Sequence, residues 1–192
     1  MSIKKDWSEY FEFTREKPPF LLLIEALKYV TDKGKAIDIG GGALKDTRYL
    51  LDEGFDVTVI DNSPLLEQEA ARINNDKLHA YIVSFEDFNF PKNEYNLASA
   101  MFALTFCDPN HFDVVFEKIK DSLKPGGIFC GQLFGDRDKW SNNIKMTYPS
   151  KDRLVKLLTG FEVISFVEKE TDDKDANDEV RCGHVFQFIV RK

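Results

Sequence analysis

The stretch Ala36-Ile37-Asp38-Ile39-Gly40-Gly41-Gly42 decides how this chain folds. Ala36–Ile39 reads as a short buried strand, and the three glycines after it as a sharp turn. Leu44–Glu53 then reads as a helix ended by Gly54, and Phe55–Ile60 as a second strand with Val57 and Val59 on one face. Glycines at a strand-to-helix turn let a ligand approach the backbone closely and leave the helix N–H groups unobstructed. Asp61 ends the second strand about 20 residues beyond the turn, the position from which an acid accepts ribose hydroxyls. The segment therefore predicts a ligand that contains a nucleoside.

Outward from this unit, strands and helices alternate. Toward the N-terminus, residues 1–17 are polar with interspersed aromatics (Trp7, Tyr10, Phe11, Phe13), and Pro18-Pro19 opens a helix whose positions Phe20, Leu23, Ile24 and Leu27 share one face. Toward the C-terminus, Ser63 reads as a helix N-cap with Pro64 at the first helical position, followed by the helix Leu65–Asn74 and a third strand at Leu78–Val83. Tyr95–Ala100 is a fourth strand, and Asp108-Pro109 begins a capped helix running to about Leu123. Lys124-Pro125-Gly126-Gly127 reads as a turn into the strand Ile128–Phe134, and Ser150–Leu158 as a further helix. Phe161–Glu168 and Val185–Arg191 read as a hairpin joined by the acidic loop Thr171–Glu179. This order predicts a Rossmann-like α/β three-layer sandwich, with a mostly parallel seven-stranded sheet and one antiparallel C-terminal strand. The 192 residues suit a single domain, with 1–30 as an N-terminal segment and helix and 31–192 as the binding core.

Composition narrows the function. The net charge is −7, from 33 acidic and 26 basic side chains, which disfavours a nucleic-acid partner because phosphate contacts demand a basic footprint. No run of apolar residues is long enough to span a bilayer, and the first residues lack the apolar core of a signal peptide, so a cytoplasmic location without membrane contact is expected. Cys107, Cys130 and Cys182 are too far apart for a zinc knuckle or disulfide framework, and His79, His111 and His184 are equally scattered; no metal is expected. The 17 phenylalanines suggest an aromatic-rich core and an aromatic-lined pocket.

Two details separate candidate ligands. A dinucleotide fingerprint wants a third glycine three places after Gly42, and Lys45 stands there. Asp38 lies two residues before Gly40, where a carboxylate repels a pyrophosphate but attracts the ammonium of an amino acid. S-adenosylmethionine has that ammonium, a ribose and no phosphate. The pattern Asp38-x-Gly40-x-Gly42 followed by Asp61 resembles the first motifs of class I S-adenosylmethionine-dependent methyltransferases. Ser84-Phe85-Glu86-Asp87-Phe88 resembles their adenine-binding segment, Leu123–Gly127 their turn before strand five, and the terminal hairpin their sixth and seventh strands. Within the family, the compact length and the Asp46–Leu50 helix start resemble tellurite-resistance-type and thiopurine-type small-molecule methyltransferases.

The resemblance implies a cofactor site of Asp38, Gly40, Gly41, Gly42, Asp61, Asn62, Ser84, Phe85, Glu86 and Ala100, with S-adenosylhomocysteine as product. It implies that the N-terminal segment acts as a lid, from which Arg15 pairs with the methionine carboxylate and Tyr10 faces the acceptor, joined by Phe102, Phe106 and Trp140. The expected partner is a small-molecule methyl acceptor. No residue announces itself as a general base, which favours a soft sulfur, selenium or tellurium nucleophile that needs none. The competing readings are a non-catalytic S-adenosylmethionine-binding domain, methylation of a macromolecule, and a nicotinamide-dependent oxidoreductase, against which Lys45 and Asp38 both speak.

Overall fold

A computed structural model describes residues 7–174 and 180–192, and the side chains among them outside 171–174 and 180–182. Seven strands form one sheet: β1 (Lys35–Ile39), β2 (Asp56–Asp61), β3 (Leu78–Ile82), β4 (Tyr95–Met101), β5 (Leu123–Phe134), β6 (Glu162–Lys174) and β7 (Val180–Arg191). Their order across the sheet is β3-β2-β1-β4-β5-β7-β6. β1 through β5 are mutually parallel, and β7 runs antiparallel to both β5 and β6. This is the α/β three-layer architecture with one antiparallel strand that the sequence predicts. The order reverses between β1 and β4, and a ligand crevice in an open parallel sheet opens at the carboxyl ends of the strands flanking such a switch.

Helices α2 (Leu21–Leu27), α3 (Lys45–Asp52) and α4 (Leu65–Ala71) cover one face of the sheet. Their inner residues Leu23, Ala26, Leu50 and Leu51 pack on Val57, Leu97 and Ile128, while Leu66 meets Val59. Helices α5 (Phe112–Ser122) and α6 (Lys151–Leu157) cover the other face. There Phe112, Phe116 and Ile119 join Phe129, Phe186 and Phe188 in a fully buried aromatic core. Much of the phenylalanine content is thus structural.

Several boundaries move for local reasons. Residues 8–15 of the expected lid form a helix, α1 (Ser8–Arg15), anchored by buried Phe11. The helix expected at Pro18-Pro19 begins instead at Leu21, because Phe20, its N-cap, is extended at ψ 134°. Ser63 is not the cap either: Pro64 holds that position, and the Ser63 hydroxyl accepts from the Leu65 amide at 3.3 Å. Asp108 folds back on the Asn110 amide at 2.8 Å, so α5 starts only at Phe112. Lys124–Gly127 is part of a continuous β5, where the register with β4 shifts between Tyr95 and Leu97 and Gly126 takes φ 80°. The expected acidic loop is shorter than 171–179, since residues 171–174 continue β6; residues 175–179 lie outside the described residues.

Candidate functional site

The glycine turn sits at the carboxyl end of β1, tied down by its neighbours in β2. Amides of Gly40 and Gly41 donate to the Ile60 carbonyl at 2.8 and 3.3 Å, and the Gly42 amide donates to Asp61 Oδ2 at 2.9 Å. Gly40 has φ 72° and Gly42 φ 51°, conformations that only glycine adopts without strain. A side chain on Gly40 would stand 2.3 Å from Ala103 Cβ, and one on Gly41 would stand 2.3 Å from Val59 Cγ2. A Cβ on Gly42 would meet nothing within 4 Å, so the turn is packed from below and open above Gly42.

Three carboxylates surround this opening. Asp38 is buried and accepts from the hydroxyls of Thr47 (2.6 Å) and Ser99 (2.9 Å). Burial, helped by the nearby Asp46 carboxylate, pushes its pKa up to about 7 despite those two hydrogen bonds. Asp46 is also raised by burial, and its Oδ1 accepts from the Phe20 amide at 2.9 Å. Asp61 is raised by burial too; its Oδ1 accepts from the Ser63 amide at 2.8 Å. Each Asp61 oxygen thus receives one amide and keeps a second lone pair for a ligand hydroxyl. Buried carboxylates whose ionisation is resisted attract a cation, and an amino-acid ammonium supplies one.

The N-terminal arm lies over the opening. Tyr10, Thr14 and Phe20 line a small cavity together with Asp38, Gly40–Gly42, Lys45, Asp46 and Met101. Its volume is about 40 Å³, room for a water molecule or two and far less than a nucleoside needs. Tyr10 is raised in pKa by partial burial and by the Asp46 and Asp61 carboxylates that it faces.

Arg15 is placed differently from the expectation. Its guanidinium forms a two-pronged ion pair with Glu69 on α4, at 2.7 and 2.8 Å, and Glu69 is almost fully buried. Arg48 binds the carbonyls of both Arg15 and Ala43. Arg15 therefore clasps the arm to α4 rather than offering a charge to a ligand. The cation lining the cavity is Lys45, which donates to the Pro18 carbonyl at 3.1 Å and sits over the Phe20 ring. In the sequence Lys45 stands out only as the residue in place of a dinucleotide fingerprint's third glycine.

The adenine-side expectations also shift. The Ser84 hydroxyl bonds to Asp87 at 2.8 Å, and Glu86 Oε1 accepts from the Asp108 amide at 2.9 Å. Ser84 is thus engaged within its own loop and Glu86 with the loop after β4, while Phe85 lies beside the turn, its ring 3.7 Å from the Cβ position of Gly40. Asn62 follows Asp61 at the mouth of β2, and Ala100 is buried in β4.

Beyond β4 an aromatic wall continues the site. Phe102 holds φ 59°, unusual for a residue with a bulky side chain, and its ring packs on Phe134 at 4.8 Å and on Phe20 at 5.9 Å. Phe134 in turn meets Trp140 edge-on at 5.5 Å, while Phe106 meets Trp7 at 5.4 Å. Phe106 and Trp140 remain more than two-fifths exposed. Among the described residues no cluster of His, Cys, Asp or Glu is arranged to hold a metal ion, and no helix is long and apolar enough to cross a membrane. The thiols of Cys107 and Cys130 are buried and their pKa values pushed up, which disfavours thiolate chemistry there.

Residues 36–127 match the family described as Methyltransferase domain, and the sheet order with its one antiparallel strand is the class I methyltransferase fold. A carboxy-S-adenosyl-L-methionine synthase of Pseudoalteromonas atlantica is 27% identical over 127 residues, covering 60% of this chain and 52% of that protein. The chain thus spans about half the length of the curated relative that it matches. Two solved structures share the fold. TehB from Haemophilus influenzae superposes with a TM-score of 0.74 at 17% identity, over 88% of this chain and 61% of its own. A methyltransferase complex with the Trm112 activator from Haloferax volcanii gives a TM-score of 0.75 at 19% identity, over 96% and 95% of the two chains.

The raised Asp38 pKa has a pH consequence. A carboxyl whose folded pKa lies above its unfolded value stabilises the fold when protonated; that contribution is complete below about pH 4 and is lost as pH rises through about 7. Melting of the ligand-free protein should therefore show a fall from pH 5 to 8 that is smaller in an Asp38→Asn variant, in which only Asp46 and Asp61 keep raised values. Affinity for a ligand ammonium should run the other way, rising with pH until it levels near 7. A wild-type melting curve parallel to that of the variant across this range would contradict the assignment.

Proposed function

We propose that this chain transfers the methyl group of S-adenosylmethionine to a small-molecule acceptor lying against the aromatic wall of Phe102, Phe106, Phe134 and Trp140. The observation that carries the reading is the opening above Gly42, beside the buried Asp38 and the half-buried Asp61 and joined to that wall through Phe20, which lines the cavity and packs on Phe102. Asp61 accepts the ribose hydroxyls with its remaining lone pairs, Asp38 takes the ammonium, and Lys45 takes the carboxylate of the methionine part. Phe85 covers the adenine side. Admission of the cofactor requires the Tyr10–Phe20 arm to lift, because the cavity beneath it is too small.

S-adenosylmethionine supplies a methyl group already activated on its sulfonium. The protein's own task is to orient the acceptor in line with that methyl and to exclude water. Rings in the wall provide no base, which suits a soft sulfur, selenium or tellurium nucleophile, or one already ionised at neutral pH. A closed arm of Tyr10 and Phe20 serves the exclusion of water.

The test is transfer of labelled methyl from S-adenosylmethionine to a panel of thiols, reduced chalcogens, amines, RNA and protein substrates. Label on thiols or chalcogens, and on no macromolecule, is the expected result. Tight cofactor binding without label on any member would instead identify a cofactor-binding domain that does not catalyse. Label on RNA or protein alone would refute the small-molecule acceptor.

A further inference from the structure

One buried polar atom near the aromatic wall has no partner. Gln132 lies on β5, directly beside Met101 of β4 and Gln187 of β7. It is 6% exposed, and its Oε1 has neither a hydrogen-bond partner nor contact with solvent. A buried amide oxygen left without a donor is destabilising, and native folds rarely keep one unless it has a task.

Its position indicates the task. Side chains alternate across a strand, so Gln132 shares its face with Cys130, two residues earlier. Cys130 pairs with Ser99, and Ser99 with Asp38, so this is the face on which Asp38 meets the cavity. Gln132 is one step nearer the carboxyl edge, at the level of Met101, which lines the cavity. The backbone carbonyl of Gln132 also accepts from the amide of Phe102 at 2.9 Å, which ties it to the left-handed residue of the aromatic wall. Phe134, two residues further along β5, belongs to the same wall.

We infer that Gln132 is a specificity-determining residue for the acceptor, reserving its amide oxygen for an N–H or O–H donor on a flat ring held by Phe102 and Phe134. This rests on the methyl-transfer reading of the site and sharpens its substrate class: the acceptor is a heteroaromatic with a hydrogen-bond donor beside the methylated atom. An acceptor lacking the donor leaves the oxygen unsatisfied, which is the way polar sites reject near-isosteres.

The experiment combines a stability and a binding measurement on the wild type and Gln132→Met, whose side chain has similar length and no amide. If the oxygen awaits a ligand, removing it relieves the free protein, and Tm rises by roughly 2–8 °C. With S-adenosylhomocysteine present, calorimetry compares 2-mercaptobenzimidazole, which carries a ring N–H, with thiophenol, which does not. The wild type should bind the first at least about tenfold more tightly, and the variant should lose that preference while binding S-adenosylhomocysteine unchanged. A lower Tm in Gln132→Met assigns the amide a structural role and overturns the inference. So does equal binding of the two probes, or no binding of either, to the wild type. Failure of S-adenosylhomocysteine itself to bind would strike the methyltransferase reading instead, and the titration separates the two.

Discussion

Asp61→Ala should weaken S-adenosylmethionine binding by a hundredfold or more, with S-adenosylhomocysteine affected equally. The carboxylate is the shared anchor of the glycine turn and of the loop after β2. It holds the Gly42 amide at 2.9 Å and the Ser63 amide at 2.8 Å, and so sets the shape of the opening before any ligand arrives. It also keeps one acceptor site on each oxygen, the two that the proposed function assigns to the ribose hydroxyls. Hydrogen bonds to a charged group contribute about 1.5–3 kcal/mol each, so loss of two corresponds to about 3–6 kcal/mol and an affinity ratio of roughly 10² to 10⁴. Asp61→Asn is the intermediate case. It keeps an acceptor oxygen for one of the two loop amides and sets an NH2 donor against the other, so its Tm should fall by less than that of Asp61→Ala and it should still bind more weakly than wild type. Calorimetric titration with both compounds, and with NADH as the control, decides. Unchanged affinity in Asp61→Ala would remove the ribose anchor from the site, and NADH binding in place of the two sulfur compounds would leave only the fold standing.

Gly40→Ala should cost about 2–5 kcal/mol of stability, a Tm lower by roughly 5–15 °C in a domain of this size. Two effects add. An L-residue at φ 72° carries about 1–2 kcal/mol of backbone strain, and the new methyl would stand 2.3 Å from Ala103 Cβ, a clash that costs about 1–3 kcal/mol as the packing shifts. Ala103 follows Phe102, so the displacement reaches the aromatic wall as well as the turn. Gly42→Ala is the instructive contrast. Its backbone has φ 51° and its Cβ direction is empty, so it should melt closer to wild type yet bind the cofactor poorly, because the methyl occupies the space above the turn. Thermal melts and titrations of the two variants check the pair; equal losses of stability in both would show that the turn is not packed on Ala103 as described.

The part of this molecule that was legible in its sequence is the part governed by local rules. A strand, three glycines and an acid at the end of the next strand specify their geometry through steric constraints acting over a few residues, and β1, β2 and Asp61 lie where those constraints put them. The alternation of strands with amphipathic helices carried the rest of the architecture, including the antiparallel β7. What escaped depends on partners distant in the chain. Arg15 suggested a ligand contact because its sequence neighbours say nothing of Glu69, 54 residues away, whose carboxylate claims both prongs of the guanidinium. Glu86 likewise accepts from the Asp108 amide, 22 residues on, whereas the Ser84 hydroxyl bonds locally to Asp87. Lys45 carries a readable signal, a cation in the first turn after the glycines, which a dinucleotide pattern does not use. The left-handed Phe102 and the unpartnered Gln132 leave no sequence trace, since each arises from the packing of β4 against β5.

The strand order has a consequence for how the chain comes to be made. β7 lies between β5 and β6, so β6 emerges from the ribosome before the strand that ties it to the sheet. Until residues 180–191 follow, the nascent chain holds β5 as a raw edge whose inner neighbours Phe186, Phe188 and Val190 have yet to be synthesised. Pairings as distant as Ile128 with Arg191 close last and slowly, because long loops must be ordered before they are rewarded. During that interval the aromatic core around Phe116 and Phe129 is only half covered, which makes this the stage at which the growing polypeptide is most exposed to aggregation and has the greatest use for a chaperone.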